Sequence, residues 1–557
     1  MKHIYNPGSG LEQVEQVFDG MYDASRANGA AIGVLDSAAT ADVTNEIART
    51  GEGLPERMKA LLDQVEDDAA KSRVLRSVLD GVSHYEKMHG VRPSADVIDA
   101  AISQGVAVAN GKAEIGLPGR MTLDSISNTG HHDPISIQPN RIVVAITSAI
   151  AEGIPFATYL PTDIGSNEAR LGIVSHQAGA NFGDYTIGEL LDGINCGDVY
   201  ASSERRVTLT QAGDRLTATG GIFTTTGGST TLKLLRGRSI VFINGFPAAQ
   251  ENPNVAASIA ASPLSGSVVI GATTYTISGT VTVATGAFAL TFSPALPVGA
   301  VVEVEGHIDY ELQPTLTPDI ITQVQNFALY ATPWRIKMKQ TIDSQTQGQN
   351  EIGLDLLSES LMAARNQVAM ERHYSALRKL KSLAVNNAAT YDFDATTQLA
   401  QKTRAMIWQD FGARLGVVDQ KMAEDTMDHG ISHIYVTKNV KAQMESLPRE
   451  IFEPSGLVAR PGVYRIGRLF GRFEIYYTPK GLTEGATTSE MLCIGRSTQV
   501  ARCPIVLGDA VPPTIIPLAI NDDLNRGSAM YARNFTQVNP HQPSSMGAAL
   551  ISVTNLF

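Results

Sequence analysis

Apolar positions recur with three different periods along this 557-residue chain, and each change of period marks a change of element. From Leu54 to about Gly90 the spacing is three and four. Met58, Leu61, Leu62, Val65 and Ala69 form one run, and Leu75, Val78, Leu79 and Val82 continue it. That is the amphipathic helix pattern, and Pro55 near its first turn suits a helix start. "SADVIDAAISQGVAVANG" predicts a second helix, with Ser94 as N-cap and Gly105 near its end. Residues 131–205 mix extended pieces with Gly-rich turns, which predicts an arm or loop with little core of its own.

Between 206 and 310 the pattern changes to short β-branched and aromatic runs separated by glycine turns, and charge almost vanishes. "SIVFING", "GSVVIGATTYTISGTVTVATGAFALTFS" and "GAVVEVEGHIDYE" read as a string of hairpins. A small β-sandwich or barrel, inserted into the chain, is the expectation. Residues 311–557 then mix helices and strands. "TQLAQKTRAMIWQDFGARLG" predicts a helix, and "ISHIYVTKNVKAQMESL" a strand, a turn and a helix. "RFEIYYTPKG", "SEMLCIGR", "PIVLGD" and "TIIPLAIND" predict four strands. The expected fold class is α+β.

The longest helical pattern is 351–380, free of Gly and Pro after Gly353. Leu354, Leu357, Leu361, Ala364 and Val368 make one apolar stripe. Met370, Tyr374, Leu377 and Leu380 make a second, rotated from the first. One end of the helix is therefore expected to pack on one sheet or subunit and the other end on another. Thirty residues at 1.5 Å each give roughly 45 Å. Arg365, Glu371, Arg372, Arg378 and Lys379 read as its polar flank, with bases crowding the C-terminal end as the helix dipole favours. The stripes do not hold one heptad frame long enough for a coiled coil.

Composition narrows the function. The formal net charge of -12 argues against a surface built to grip nucleic acid, which needs clustered Lys and Arg. Cys196, Cys493 and Cys503 are odd in number and widely spaced, so buried free thiols in a reducing compartment are expected. The apolar run 141–156 contains Glu152 and is too short to span a bilayer.

No reaction motif survives inspection. "GVAVANGKA" has one residue too many for a phosphate loop, and Ala113 follows Lys112. His84 and His89 sit about 140° apart around a helix, which predicts a solvated helix end and no shared metal. His131, His132 and Asp133 are adjacent in a loop and point apart. Asn534, Phe535 and Thr536 spell a glycosylation acceptor, irrelevant in a cytosol. Arg465, Arg468 and Arg472 alternate with aromatics, which could suit single-stranded nucleic acid; subunit contact or solvation is the commoner cause. The expectation is a non-enzymatic structural protein with no catalytic, cofactor or metal residues.

The order of elements resembles the major capsid protein of tailed bacteriophages, the Hong Kong 97 type fold in its T-even-like and giant myophage branch. The resemblance lies in "YELQPTLTPDIITQVQNFALYATPWRIKMKQTIDSQTQGQNEIGLDLLSESLMAARNQVAMERHYSALRKL", similar to the spine-helix region, and in "ISHIYVTKNVKAQMESL", "GVYRIGRLFGRFEIYYTPKG" and "YARNFTQVNPHQPSSMGAALISVTNLF". "SIVFINGFP" and "TVATGAFALTFSPALPVGAVVEVEGHIDYE" are similar to immunoglobulin-like insertions of this family. It covers roughly 131–557, and residues 1–130 have no firm counterpart.

The resemblance implies a helical N-terminal region or arm (1–130), an N-arm and extended loop (131–205), an inserted β domain (206–310), a spine helix and peripheral domain (311–430), an axial domain (431–510) and return strands (511–557). It implies hexamers and pentamers that close into an icosahedral head around double-stranded DNA, in a virion assembled in the bacterial host cytoplasm. Scaffold, portal and decoration proteins would be partners, contact with DNA would be loose, and no membrane is involved. A sheath or tube-forming tail protein is the alternative. Some relatives lose an N-terminal segment by cleavage after Glu; Leu54-Pro55-Glu56, Leu357-Ser358-Glu359 and Ile451-Phe452-Glu453 all fit that pattern.

Overall fold

The computed structural model describes residues 56–63, 68–109, 149–150, 153–160, 162, 167–224, 231–348, 356–518 and 525–557. The fold mixes helix and sheet and divides into two units. One spans Val174–Gln325; the other holds the described residues up to Ile173 and from Asn326 onward.

The chain enters through α1 (Glu56–Asp63), α2 (Asp68–His89) and α3 (Ala95–Ala109). Met58, Leu61, Leu62, Leu75, Val78, Leu79 and Val82 are buried together, as their spacing predicts. Ala69 is exposed and Ala70 takes the buried position. Val65, and the stretches 1–55 and 110–148, lie outside the described residues. Ser94 accepts the first backbone bonds of α3 through its carbonyl, but its hydroxyl is buried without a partner, so it does not cap through its side chain. Gly105 lies inside α3, whose last residue is Ala109.

β1 (Thr158–Tyr159) is followed by β2 (Glu168–Ala178), where a loop is expected from the glycines. β2 alternates cleanly, with Ala169, Leu171 and Ile173 buried and Arg170, Gly172 and Val174 outward. Period-2 burial outweighs the loop-like composition here.

The Val174–Gln325 unit contains β3 (Glu204–Thr208), β4 (Thr210–Gln211), β5 (Thr217–Gly221), β6 (Ile240–Ile243), β7 (Phe246–Glu251), β8 (Ala261–Ile270), β9 (Thr273–Thr282), β10 (Ala287–Ser293) and β11 (Val302–His307). They form one sheet in the order β3-β11-β6-β7-β8-β9-β10-β5-β4. Its two outer strands, β3 and β4, are separated in sequence by Leu209 alone. The sheet must therefore curl until its ends meet, which removes most of its edge. Inside lie Val241, Ile243, Leu264, Ile277, Val281, Phe288, Leu290, Phe292, Val302 and Val304. Burial of each such side chain contributes about 1.5–3 kcal/mol.

β12 (Ile320–Tyr330) and β13 (Thr332–Thr341) come next, two long strands in a stretch read from sequence only as a lead-in to the helix. α4 (Leu356–Leu383) is the long helix. β14 (Ala388–Asp392) is followed by a helical turn, Ala395–Gln398, and by α5 (Arg404–Thr426). The predicted single helix from Thr397 is thus two, and Thr403 caps the second, accepting from the Met406 N–H at 3.4 Å. β15 (Ile431–Val436) and α6 (Lys438–Glu445) match the predicted strand, turn and helix.

β16 (Phe452–Pro454), β17 (Tyr464–Leu469), β18 (Phe473–Tyr477), β19 (Thr488–Gly495), β20 (Ile505–Leu518), β21 (Asn525–Val538) and β22 (Ala548–Thr554) complete the chain. "PIVLGD" and "TIIPLAIND" fall largely on the single strand β20, not on two, because register shifts at Asp509/Val511 and Val511/Thr514 carry the ladder past the break. A mixed seven-stranded sheet runs β14-β22-β19-β15-β18-β17-β16, and a four-stranded one runs β1-β20-β21-β13. α5 lays Ile407, Trp408, Phe411, Leu415, Val418 and Met422 on the larger sheet.

Candidate assembly surface and its buried anchor

α4 connects the two sheets of its unit. Its fully buried positions are Ala364, Val368, Arg372, Ala376 and Leu380, each four residues from the next. A step of four residues advances about 40° around an α-helix, so the buried face turns by roughly 160° over this stretch. Ala364 and Val368 pack with Met338 and Met530 of the four-stranded sheet. Ala376, Leu377 and Leu380 pack with Tyr435, Tyr476, Leu492 and Ile494 of the seven-stranded sheet. The expected change of packing partner along the helix is present, though Met370 of the second stripe is exposed. Leu354 and the side chains of Leu357 and Leu361 lie outside the described residues.

Arg372 is a correction. Read from sequence as polar flank, it occupies the middle of the buried stripe and is only 1% exposed. Its Nη1 lies 3.0 Å from Asp509 Oδ1. The register shift after Asp509 re-aims the side chains of β20 at this point. Gln104 of α3 donates to Asp509 Oδ2 at 2.8 Å. The Arg372 guanidinium also lies over the Tyr159 ring, 5.5 Å from its centre. The Tyr159 N–H donates to Asp96 Oδ2 at 2.9 Å, and Asp96 Oδ1 pairs with Arg496 at 3.1 Å. A continuous polar chain thus ties α3, β1, α4 and β20 together in the low-dielectric interior. Separating a pair of this kind costs about 3–5 kcal/mol, because it leaves one charge buried alone.

Beside it lies a histidine and aromatic cluster. Tyr435 and Tyr476 stack at 5.2 Å, and Phe156 meets Tyr435 edge-on at 5.6 Å. His373 of α4 sits 3.0 Å from the Tyr435 hydroxyl through Nε2, and His89 of α2 sits 3.4 Å from the Tyr476 hydroxyl. His433 Nδ1 is 2.7 Å from Ser432 Oγ. Burial lowers His373 to about 4 and His433 to about 3; Arg496 and His89 add to the shift at His433. Burial, then His373, Arg465 and His84, lower His89 to about 3. Burial raises both tyrosines well above their ordinary range. At neutral pH the cluster is therefore uncharged and joins the helices to the larger sheet.

The other residues singled out from sequence fall elsewhere. His84 is exposed, but His89 is within the cluster and not at a solvated helix end. His131, His132, Asp133, Lys112 and Ala113 lie outside the described residues. Arg465 and Arg468 both pair with the buried Glu474, the latter at 2.6 Å, and Arg472 pairs with Asp419 at 2.9 Å. They hold the β17–β18 hairpin within the chain, which neither nucleic-acid nor subunit contact anticipates. Cys493 and Cys503 are buried with raised thiols, while Cys196 is exposed, contrary to the uniform burial expected. Asn534 is 2% exposed on β21, closed to modification.

What remains open is the ribbon of β2 and β12, which pair with each other as a two-stranded sheet. Ile320, Ile321, Val324 and Tyr330 of β12 are all exposed, Val324 by 65%. From Ile320 to Val324 every side chain is exposed, so neither face of the strand is covered there. Val174 of β2 adds a further exposed apolar position.

Neither a protein-family model nor a curated protein matches the chain. Among solved structures it is similar to the icosahedrally averaged capsid of jumbo bacteriophage PhiKZ, at 9% identity and TM-score 0.35, over 72% of this chain and 91% of that one. It is also similar to the SrpI encapsulin of Synechococcus elongatus PCC 7942, at 11% identity and TM-score 0.26, over 42% and 77%. The capsid of Myoviridae phage XM1 matches at 9% identity and TM-score 0.27, over 60% and 89%. These scores are too low to carry an argument, so the functional reading rests on the chain's own geometry.

Proposed function

We propose that this chain is a shell-forming structural subunit, the major capsid protein of a tailed bacteriophage with the Hong Kong 97 type fold. The observation that carries the reading is the β2–β12 ribbon. A two-stranded ribbon is marginal in water on its own, and this one exposes Ile320, Ile321 and Val324. Such a ribbon gains stability by lying on another surface, and a second copy of the chain supplies one in any repeating assembly. The sequence resemblance places its extended loop in the same stretch.

In this reading α4 is the spine that sets the subunit's span, 431–510 is the axial domain at the capsomer centre, and 206–310 is an immunoglobulin-like insertion. Subunits form hexamers and pentamers that close around double-stranded DNA in the virion, with scaffold, portal and decoration proteins as partners. A formal net charge of -12 suits a lining that must release its genome.

The test is the double variant Ile321→Asp with Val324→Asp. The expected product is folded by circular dichroism, sediments slowly and makes no shells under the electron microscope. Shells of ordinary size and yield from this variant would overturn the reading.

A further inference from the structure

Three polar side chains are buried together inside the β unit, and no hydrogen-bond partner accounts for them. Ser239, Glu251 and Ser262 are exposed by 0%, 1% and 0%. Ser239 precedes β6, and because Ile240 stands opposite Gln250, Ser239 stands opposite Glu251. Glu251 is opposite Leu264 on β8, and Ser262 lies two residues before Leu264. Residues two apart on a strand share a face, so all three side chains point to the same inner side, within cross-strand or diagonal reach.

The backbone holds this arrangement firmly. The Glu251 N–H donates to the Ser239 carbonyl at 2.9 Å, and the Ser239 N–H donates to Glu251 Oε2 at 3.2 Å. Glu251 Oε1 and the hydroxyl oxygens of Ser239 and Ser262 have no partner among the described residues. No ion pair among the described residues reaches Glu251. The nearby Arg236 is spent on the carbonyls of Ala256 and Ile259, which pins the 252–260 loop. Pro253 of that loop packs against Gly237, whose φ of +74° allows the close approach.

A buried carboxylate without a counter-charge is among the costliest groups a fold can hold. A trapped water would satisfy the hydroxyls but supply no charge. A hard cation satisfies all three oxygens at once, since carboxylate and hydroxyl oxygens are its preferred ligands. We propose that Glu251, Ser239 and Ser262 bind one hard, oxygen-seeking cation of the calcium class inside the β unit. The site braces the junction of β6, β7 and β8 and is independent of the assembly reading.

The experiment is scanning calorimetry of the full chain, stripped with chelator and then given excess CaCl2, with NaCl and MgCl2 as comparison probes. Saturating calcium is expected to raise Tm by roughly 5 °C. Equilibrium dialysis is expected to find one calcium per chain. Glu251→Gln should abolish both. Ser262→Ala, a milder change, should weaken binding about tenfold, and it decides the matter if Glu251→Gln does not fold. The proposal is overturned if no cation shifts Tm or is retained in dialysis, if the shift persists in Glu251→Gln, or if Ser262→Ala binds as tightly as the parent.

Discussion

The two units of this chain build their cores by different means. In Val174–Gln325 the main core is apolar, made of residues that alternate along hairpins between near neighbours in sequence. In the other unit a helix of twenty-eight residues meets two sheets, and the turn of its buried face is occupied by Arg372 and flanked by His373. Its key contacts are distant in sequence: Arg372 with Asp509, Gln104 with Asp509, and Asp96 with Arg496. Hydrophobic burial is non-directional and tolerates volume-conserving swaps. A buried ion pair tolerates almost none once one partner is lost. The first unit should therefore fail gradually under mutation and the second sharply.

The largest effect is expected at the anchor. Arg372→Ala should lower stability by about 3–5 kcal/mol, read as a lower urea midpoint for the unit that contains α4. Replacing both Arg372 and Asp509 with Leu should recover a good part of that loss. A double variant no better than the single one would show that the pair is not the source.

Next is Phe292→Ala in the β unit, where a buried ring sits in the apolar core. A cost of about 3–5 kcal/mol is expected, confined to that unit's own calorimetric transition. A loss spread equally over both transitions would erase the contrast.

The histidine cluster gives a pH test with a definite sign. An unfolded histidine titrates near 6.5, whereas His373 is held at about 4 by burial. Between those values the unfolded chain binds more protons than the folded one. Stability is then full above about pH 6.5 and falls as the pH drops toward 4, by up to ~1.4 kcal/mol per pH unit for each such histidine. His373→Gln should flatten this slope in urea titrations at stepped pH. An unchanged slope would mean that His373 does not stay neutral in the fold. The smallest effect is expected from Thr403→Ala, which removes the α5 cap and should cost about 1 kcal/mol.

The same contrast explains what the sequence discloses. The hairpins of 206–310 are legible because period-2 alternation is a local signal, and the long helix because nothing interrupts it. Arg372 is not legible as core, since an arginine beside Glu371 looks like a polar flank until Asp509 is brought up by a strand far along the chain. Yet the interval of four linking Ala364, Val368, Arg372, Ala376 and Leu380 was present to be counted. β12 and β13 were missed because one strand shows little burial within the chain and the other alternates basic with half-buried positions. Their periodicity is weak wherever the covering surface is not part of the chain itself. Glu251 was likewise hidden, a carboxylate that looks like solvent-facing strand polarity until Ser239 is found opposite it.

Electron microscopy of the purified full chain tests the central claim most directly. The account predicts closed, curved shells with hexameric and pentameric rings of subunits, and β2–β12 ribbons lying across neighbouring subunits. Monodisperse monomers at high concentration, or straight tubes with no closed particle, would contradict it.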